Sequence, residues 1–136
     1  TFIAGLSMGG YGAIRNGIVF SDTFSHVAGL SSAIHFFDKG TREKRYNRQF
    51  FLGIDEPENT KLNPEVAFAQ LLEAKRPIPK FYISCGTKDD LYGINVDFRE
   101  FLKKNGADVT WDEEEAGHEW DFWDSQIKKV LEWLPL

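Results

Sequence analysis

The sequence predicts an α/β fold in which a mostly parallel sheet is flanked by helices. Short apolar segments of strand type alternate along the chain with longer segments whose apolar residues recur at helical spacing. One strand candidate carries no charge between Val27 and Ile34, which is typical of a parallel strand covered on both faces. Because strands that alternate with helices form parallel sheets joined by crossovers, we expect a single α/β domain over residues 1–136.

Local signals justify each element in turn. Strands are predicted at residues 1–5, 25–34, 80–86 and 107–117, and helices at residues 12–20, 64–75, 96–104 and 118–134. Asn63 followed by Pro64 is the expected start of the second helix, and Gly106 after Asn105 is the expected stop of the third. The last helix is predicted to place five apolar residues on one face: Trp123, Ile127, Val130, Leu131 and Leu134.

Residues 35–60 break this alternation. The segment mixes charges with aromatic residues and has no clean period, so we interpret it as an excursion or lid that contains one short helix. Its basic residues beside Tyr46, Phe50 and Phe51 are also compatible with a nucleic-acid patch. The chain as a whole carries 16 basic and 21 acidic residues, a net charge of −5, which disfavours nucleic acid as a partner.

Composition sets further bounds on the class of protein. A hydrophobic content of 42% with 15% aromatic residues predicts a folded domain. No stretch approaches the roughly 20 apolar residues that cross a bilayer, so no membrane association is expected. The single cysteine, Cys85, excludes an internal disulfide and favours a reducing compartment, the cytoplasm. We interpret Cys85 as a core residue and the acidic run 112–115 as a solvated sheet edge rather than a metal site.

The first residues carry the strongest chemical signal. Gly5, Leu6, Ser7, Met8 and Gly9 fit the pattern G-x-S-x-G between a predicted strand and a predicted helix, the context in which such a serine is a nucleophile. Small neighbours on either side of Ser7 allow the strand and the helix to touch, and the amide of Met8 is placed to stabilise an oxyanion. A plain glycine-serine loop and a phosphate-binding turn are the alternatives.

A nucleophilic serine needs a base, and the chain has three histidines. His118 follows the last predicted strand, as expected of a triad histidine when the order along the chain is serine, acid, histidine. His35, at the mouth of the segment 35–60, is the second candidate. A helix-capping or surface role is the alternative for His118, because a glycine directly before it, Gly117, is typical of an ordinary turn.

The orienting acid is expected after the strand between serine and histidine, because the active sites of open α/β sheets gather at the carboxyl ends of strands. Asp89 and Asp90 both follow the predicted strand 80–86, and Asp89 is preferred because it comes first. Asp90 stays open as a candidate, whereas Asp97 and Asp108 fit a helix surface and a loop.

Four stretches in order, "GLSMGGYGA", "FSHVAGLSSA", "CGTKDDLY" and "AGHEWDFWD", resemble the α/β-hydrolase esterases of the esterase D type. This group includes the tributyrin (acetyl) esterases, to which the chain is most similar, the S-formylglutathione hydrolases and feruloyl esterase-like enzymes, with antigen-85-type acyltransferases as more distant relatives. The resemblance implies Ser7 as nucleophile, Asp89 as orienting acid and His118 as general base. It also implies hydrolysis of small-molecule esters with short acyl groups through an acyl-enzyme, without metal or organic cofactor.

Two further residues are predicted at the substrate. Trp120, so close to His118, is expected to line the acyl or alcohol pocket, and His35 is the second expected lining residue. A thioesterase acting on S-formylglutathione, an acyltransferase of the same fold and a non-catalytic α/β module are the alternative functions.

The resemblance also implies that this chain is the C-terminal part of a domain. Members of the fold carry several strands before the serine, and a loop after an early strand supplies the second oxyanion donor. We therefore expect a preceding segment on the order of 100 residues, since single α/β domains run to about 200–250 residues. Without that segment we expect weak or no activity, and association through the open sheet edge into homo-oligomers.

Overall fold

The computed structural model describes residues 1–35 and 60–136, in which strands and helices alternate. The strands are β1 (Phe2–Leu6), β2 (His26–Leu30), β3 (Lys80–Gly86) and β4 (Val109–Glu114). The helices are α1 (Met8–Val19), α2 (Pro64–Glu73), α3 (Tyr92–Lys104) and α4 (Trp120–Trp133). None of the helices in these two ranges is long and apolar enough to cross a membrane. The predicted excursion 35–60 lies outside the described residues, apart from its two end residues.

The four strands form one parallel sheet in the order β1-β2-β3-β4. Leu6 pairs with Leu30, and Leu30 pairs with Ser84, so neighbouring strands end almost level with one another. The residues that follow the strands therefore meet at one edge of the sheet, where ligands of parallel α/β folds bind. The predicted class, a mostly parallel sheet flanked by helices, is confirmed.

Apolar side chains cover both faces of the sheet. On one face, α1, α2 and α3 pack in a cluster that includes Ile14 and Phe68, both fully buried. On the other face, α4 packs through residues such as Val130. Val27 belongs to the first cluster and Ala28 to the second, because successive side chains of a strand point to opposite faces.

Three predicted boundaries are wrong by four residues each. α1 begins at Met8 rather than at residue 12, because Ser7 alone makes the turn, with φ 55° and ψ −120°. β2 ends at Leu30 rather than at residue 34, because Ser31 has φ 47°, a left-handed conformation that leaves the strand. α3 begins at Tyr92 rather than at residue 96, because a tight turn leads directly into the helix.

The predicted apolar face of α4 is only partly buried. Trp123 and Val130 are buried, but Ile127 is 38% and Leu131 52% exposed. Both exposed side chains line cavities between α4 and β1. β1 is the edge strand of the described sheet, and none of its residues is buried: four are partly exposed, and Ala4 is exposed. The prediction failed for these two residues because they face the space beside the edge strand β1, which no described element fills.

Candidate active site

Ser7 forms a sharp turn between β1 and α1. Its φ of 55° is in the left-handed region, which is costly for a residue with a side chain. Backbone hydrogen bonds hold it there: the Ser7 N–H donates to the Leu30 carbonyl at 2.9 Å, and the Ser7 carbonyl accepts from the Ala33 N–H at 2.9 Å. The turn directs the side chain away from both elements, as a nucleophile at a strand-to-helix turn requires.

Close packing at this turn depends on glycines, but not on all of those predicted. A Cβ on Gly5 would overlap the carbonyl oxygen of Gly9, so β1 and α1 touch only because Gly5 has none. A Cβ on Gly10 would overlap the Ser32 hydroxyl in the same way. A Cβ on Gly9 meets no described atom within 4 Å. Of the two motif positions expected to require a small residue, only position 5 therefore does so among the described residues.

The structure brings Ser7, His118 and Asp89 into one series of hydrogen bonds. His118 Nε2 lies 2.9 Å from Ser7 Oγ, and His118 Nδ1 lies 2.7 Å from Asp89 Oδ2. Because an ionised carboxylate only accepts, we assign the imidazole proton to Nδ1, which leaves Nε2 to accept from the serine hydroxyl. The imidazole is thus placed to remove that proton.

Asp89 is the carboxylate that reaches His118. Its side chain is only 2% exposed, and its Oδ1 accepts a hydrogen bond of 2.9 Å from the Leu91 N–H, which fixes the carboxylate plane. Asp90 is exposed. Asp97 is exposed on α3, and Asp108 pairs with Lys80 at 4.0 Å.

The loops that carry Asp89 and His118 are held against each other by backbone contacts. The Lys88 N–H donates to the Ala116 carbonyl at 3.0 Å. A Cβ on Gly86 would overlap that same carbonyl oxygen. Sequence reasoning missed the role of Gly86, although a glycine at the end of a strand that precedes the acid is a signal of close backbone approach.

Met8 is the first residue of α1, a helix of 12 residues with no acidic side chain in its first turn. The first N–H groups of a helix have no intrahelical acceptor and form its positive end. The Met8 amide follows Ser7 directly at this positive end, and its use as an oxyanion donor stays a prediction.

One tryptophan packs on the imidazole, and a second packs on the first. Trp123 packs perpendicular to the His118 ring, with centroids 4.8 Å apart, and Trp120 packs perpendicular to Trp123 at 5.1 Å. Trp120 is 73% exposed and lines a cavity of about 280 Å³ that reaches Gly5. The contact of Trp123 with His118 is not evident from the sequence, where Trp123 fits only the apolar face of a helix. His35 lies exposed in the turn region that follows β2.

Their surroundings shift the pKa of two further side chains, Cys85 and Asp112. Burial, and next the charge of Asp89, raise the pKa of the Cys85 thiol to about 12, as fits a core residue. Asp112, in the acidic run on the edge strand β4, is partly exposed: burial alone would raise its pKa, but hydrogen bonds from Gln126 and Lys129 lower its pKa overall. Within residues 1–35 and 60–136, no three His, Cys, Asp or Glu side chains are grouped to hold a metal ion.

The sequence matches the family model described as "Putative esterase" over residues 1–134. It is also 38% identical over 143 residues to an acetyl esterase of Caldicellulosiruptor saccharolyticus. That alignment covers 98% of this chain and 54% of the relative, so the chain spans about half the length of the curated relative it matches.

Solved structures share the arrangement of strands and helices. One is FphF of Staphylococcus aureus, a fluorophosphonate-binding serine hydrolase in a substrate-bound form, with a TM-score of 0.85 and 27% identity. Another is the S-formylglutathione hydrolase FrmB of Staphylococcus aureus, as apoenzyme, with a TM-score of 0.77 and 28% identity. Each comparison covers 97% of this chain, but 52% and 49% of the respective solved chain.

Proposed function

The chain belongs to the esterase family described as "Putative esterase", with an α/β-hydrolase fold, and on this premise we propose that the protein is a serine carboxylesterase acting on esters of short-chain acids. The observation that carries this proposal is the hydrogen-bonded series of Ser7, His118 and Asp89, with distances of 2.9 Å and 2.7 Å. A hydroxyl beside an imidazole that a buried carboxylate orients is the arrangement that activates serine for acyl transfer.

In the proposed reaction, Ser7 Oγ attacks the ester carbonyl carbon while His118 Nε2 takes the hydroxyl proton. Asp89 keeps the ring oriented through Nδ1–H and stabilises the imidazolium that forms. The carbonyl oxygen becomes negatively charged, and the amide of Met8 at the positive end of α1 donates a hydrogen bond to it.

The tetrahedral intermediate then breaks its bond to the alcohol oxygen, and the alcohol leaves with the proton from His118. Ser7 now carries the acyl group as an ester. A water molecule loses a proton to His118 Nε2 and attacks the acyl carbon, and the second collapse returns that proton to Ser7 Oγ and releases the acid. The His118 side chain is 38% exposed, which supports access of water to the base.

We assign the acyl or alcohol pocket to the cavity of about 280 Å³ beside Ser7. Gly5 and Leu6 line it next to the nucleophile, and Trp120 lines it from α4. Walls that are mostly apolar suit a short hydrocarbon group. We propose His35 as a second substrate-lining residue, because it lies exposed after β2 near the same edge of the sheet.

We also propose that a segment preceding residue 1 completes the domain along β1. This chain covers only about half of its relatives, and the edge strand β1 is partly exposed although the next strand, β2, is almost fully buried. A second cavity of about 180 Å³, lined by Phe2 and Leu131 among others, offers further apolar surface there. The segment would also supply the second oxyanion donor. A second copy of the chain on β1 is the alternative occupant.

For location, we propose the cytoplasm. Cys85, the single cysteine of the chain, is a buried free thiol. Proteins in reducing compartments keep their thiols free, whereas secreted proteins use cysteine mainly in disulfides. Cell fractionation with an antibody against the chain tests this placement.

A thioesterase that cleaves S-formylglutathione is the second candidate function. The observation in its favour is the likeness to FrmB, a hydrolase of that thioester, at 28% identity and a TM-score of 0.77. The same three side chains serve both reactions, because a thioester carbonyl is attacked in the same way as an ester carbonyl. The two functions differ in the group that leaves, and therefore in the pocket rather than in the nucleophile.

Labelling and substrate profiling test both functions. Both use the longer protein, which is this chain together with the proposed preceding segment. A fluorophosphonate probe is expected to label wild type at Ser7 and to leave Ser7→Ala unlabelled. p-Nitrophenyl esters of increasing acyl length, assayed beside S-formylglutathione, then separate the candidates by kcat/KM. A preference for acetyl or butyryl esters supports the carboxylesterase, and a preference for S-formylglutathione supports the thioesterase. Folded wild type that resists the probe would favour a non-catalytic module instead.

A further inference from the structure

The indole of Trp123 contacts both the imidazole of His118 and the hydroxyl of Ser31. Its ring lies at 89° to the imidazole of His118, with centroids 4.8 Å apart. Its Nε1–H donates a hydrogen bond of 3.0 Å to Oγ of Ser31. Trp123 is 7% exposed and Ser31 is fully buried, so the bond is shielded from water. Trp123 also lines the cavity that we assign to the substrate, but neither Trp123 nor Ser31 takes part in the proton transfers proposed above.

Ser31 holds a backbone conformation that is costly for a residue with a side chain. Its φ is 47°, in the left-handed region that glycine adopts with less strain. The Ser31 N–H donates to the Ser84 carbonyl at 2.8 Å, which anchors the turn to β3. The conformation takes the chain out of β2, and the hydroxyl meets an indole 92 positions further along the sequence. Serine at a site that favours glycine indicates a use for the hydroxyl.

The imidazole of His118 needs support beyond its two hydrogen bonds. His118 follows Gly117 in the loop between β4 and α4, and its side chain is 38% exposed. A ring held by Asp89 at Nδ1 can still pivot about that bond, which would carry Nε2 away from Ser7. A perpendicular aromatic neighbour limits the pivot, because it attracts the ring in one orientation and occupies the space that others require.

We propose that Trp123 is a positioning residue for His118, and that its hydrogen bond to Ser31 holds the indole in the required orientation. The kinetic consequence rests on the proposed esterase function, whereas the structural consequence does not. Ser31 itself does not line the substrate cavity, although Trp123 does, so we expect the loss of the Ser31 hydroxyl to lower kcat more than it changes KM. Misplacement of a catalytic group by about 1 Å costs up to about 10²-fold in rate.

The decisive variant is Ser31→Ala, which keeps the Trp123 side chain and removes the oxygen that it binds, an oxygen that also interacts with the Cys85 thiol. We expect kcat of the longer protein to fall by about 10- to 100-fold. Ser31→Gly removes the same oxygen and also relieves the left-handed backbone, so it serves if Ser31→Ala folds poorly. The matched control is Ser84→Ala: Ser84 is also fully buried, its hydroxyl has no hydrogen-bond partner among the described residues, and kcat is expected to stay at the wild-type value.

A double-mutant cycle separates positioning from stability. Trp123→Phe keeps an aromatic ring near His118 but lacks the N–H donor. Combined with Ser31→Ala it leaves neither partner unsatisfied, so the free energy of unfolding is expected to recover in part relative to the single variants. The kcat is expected to stay as low as in the single variants, because all three lack the same hydrogen bond.

A second readout needs no substrate. The Nδ1–H proton of His118, in its bond to Asp89, is expected to give an NMR resonance that reports on the placement of the ring and is lost in Asp89→Asn. We expect Ser31→Ala to shift or broaden it and Ser84→Ala to leave it unchanged. If wild type proves inactive, the esterase proposal fails, and this resonance still decides the positioning role. Two outcomes would overturn the positioning role. One is a folded Ser31→Ala or Ser31→Gly protein in which the resonance is unchanged. The other is a double variant in which the kcat losses of the two single variants multiply.

Discussion

Gly86 and Ala116 touch through their backbones, at a distance that leaves no room for a Cβ atom on Gly86. Gly86 ends β3 just before the loop of Asp89, and Ala116 belongs to the loop of His118. The hydrogen bond from the Lys88 N–H to the Ala116 carbonyl joins the same two loops. The distance of 2.7 Å between the carboxylate and the imidazole therefore depends on a glycine three positions before Asp89.

Gly86→Ala is expected to separate these loops. We expect kcat to fall by about 10- to 100-fold, and the free energy of unfolding by about 1–3 kcal/mol, because the added methyl group meets backbone that cannot move aside. Gly93→Ala is the matched control: Gly93 lies in α3 with no described atom within 4 Å of an added Cβ. It is expected to raise stability by about 0.5–1 kcal/mol at unchanged kcat. Ester kinetics and urea denaturation of both variants check this, and equal kcat values would contradict it.

Removal of the proposed catalytic side chains is expected to act on kcat. Ser7→Ala or His118→Ala in the longer protein should lower it by about 10⁴- to 10⁶-fold. Asp89→Asn should cost somewhat less, since Ser7 and His118 remain. Asp90→Asn removes the same charge one position further on, from an exposed side chain, and should leave kcat nearly unchanged. If Asp90→Asn were the more damaging change, the assignment of the acid would be wrong.

The three proposed catalytic residues could be singled out from the sequence because each has a local signal. Ser7 lies in a motif, and Asp89 and His118 follow strand-like segments in the expected order. The choice between Asp89 and Asp90 rested on order alone, and the structure adds the burial of Asp89. The contact of Trp123 with Ser31 could not be predicted, because 92 positions separate the two residues and the left-handed φ of Ser31 leaves no mark in the sequence.

The helical period predicted α4 well but not its environment. Period alone places Ile127 and Leu131 on the same face as Val130, and only Val130 is buried. The difference depends on what lies beyond β1, which the pattern within α4 does not contain. The fold class was predictable because it depends on the alternation of elements, whereas burial at the sheet edge depends on neighbours outside the element.

The two motif glycines on either side of Ser7 are expected to respond differently to the same change. Gly5→Ala adds a methyl group that overlaps the Gly9 carbonyl, so the turn must open, and we expect lower kcat and a loss of about 1–3 kcal/mol in stability. Gly9→Ala adds its methyl group where no described atom lies within 4 Å, in the first turn of a helix that alanine favours. Stability and kcat should therefore be retained. Similar losses in both variants would show that the space beside Gly9 is also filled.

The buried thiol of Cys85 makes stability depend on alkaline pH. Its pKa is raised from 9.0 to about 12, chiefly by burial and next by the charge of Asp89. The folded protein therefore keeps a proton that the unfolded chain releases above about pH 9, so this contribution to stability is complete below pH 9 and is lost between pH 9 and pH 12. The free energy of unfolding should fall there by at most about 1.4 kcal/mol per pH unit for this group.

Cys85→Ala removes that titration. The variant should be less stable at neutral pH, because a buried sulfur is lost, but its stability should decline less steeply from pH 9 upward. Tyr11, whose pKa burial raises to about 12, titrates in both proteins, so the comparison isolates the thiol. Urea denaturation at intervals from pH 7 to about pH 10.5 measures the two slopes. Parallel slopes would mean that Cys85 is accessible to hydroxide in the folded state.

Leu131 tests whether a preceding segment covers the face beside β1. In this chain alone Leu131 is 52% exposed, so Leu131→Gln should change stability by no more than about 0.5 kcal/mol. In the longer protein, where we propose that the segment buries it, the same change should cost about 1.5–3 kcal/mol. Leu136→Gln is the control, because Leu136 is 85% exposed and lines neither cavity beside β1. A mild effect of Leu131→Gln in the longer protein would show that the preceding segment does not cover this face. If Leu131→Gln weakened self-association of the shorter chain, a second copy would be the group that covers it.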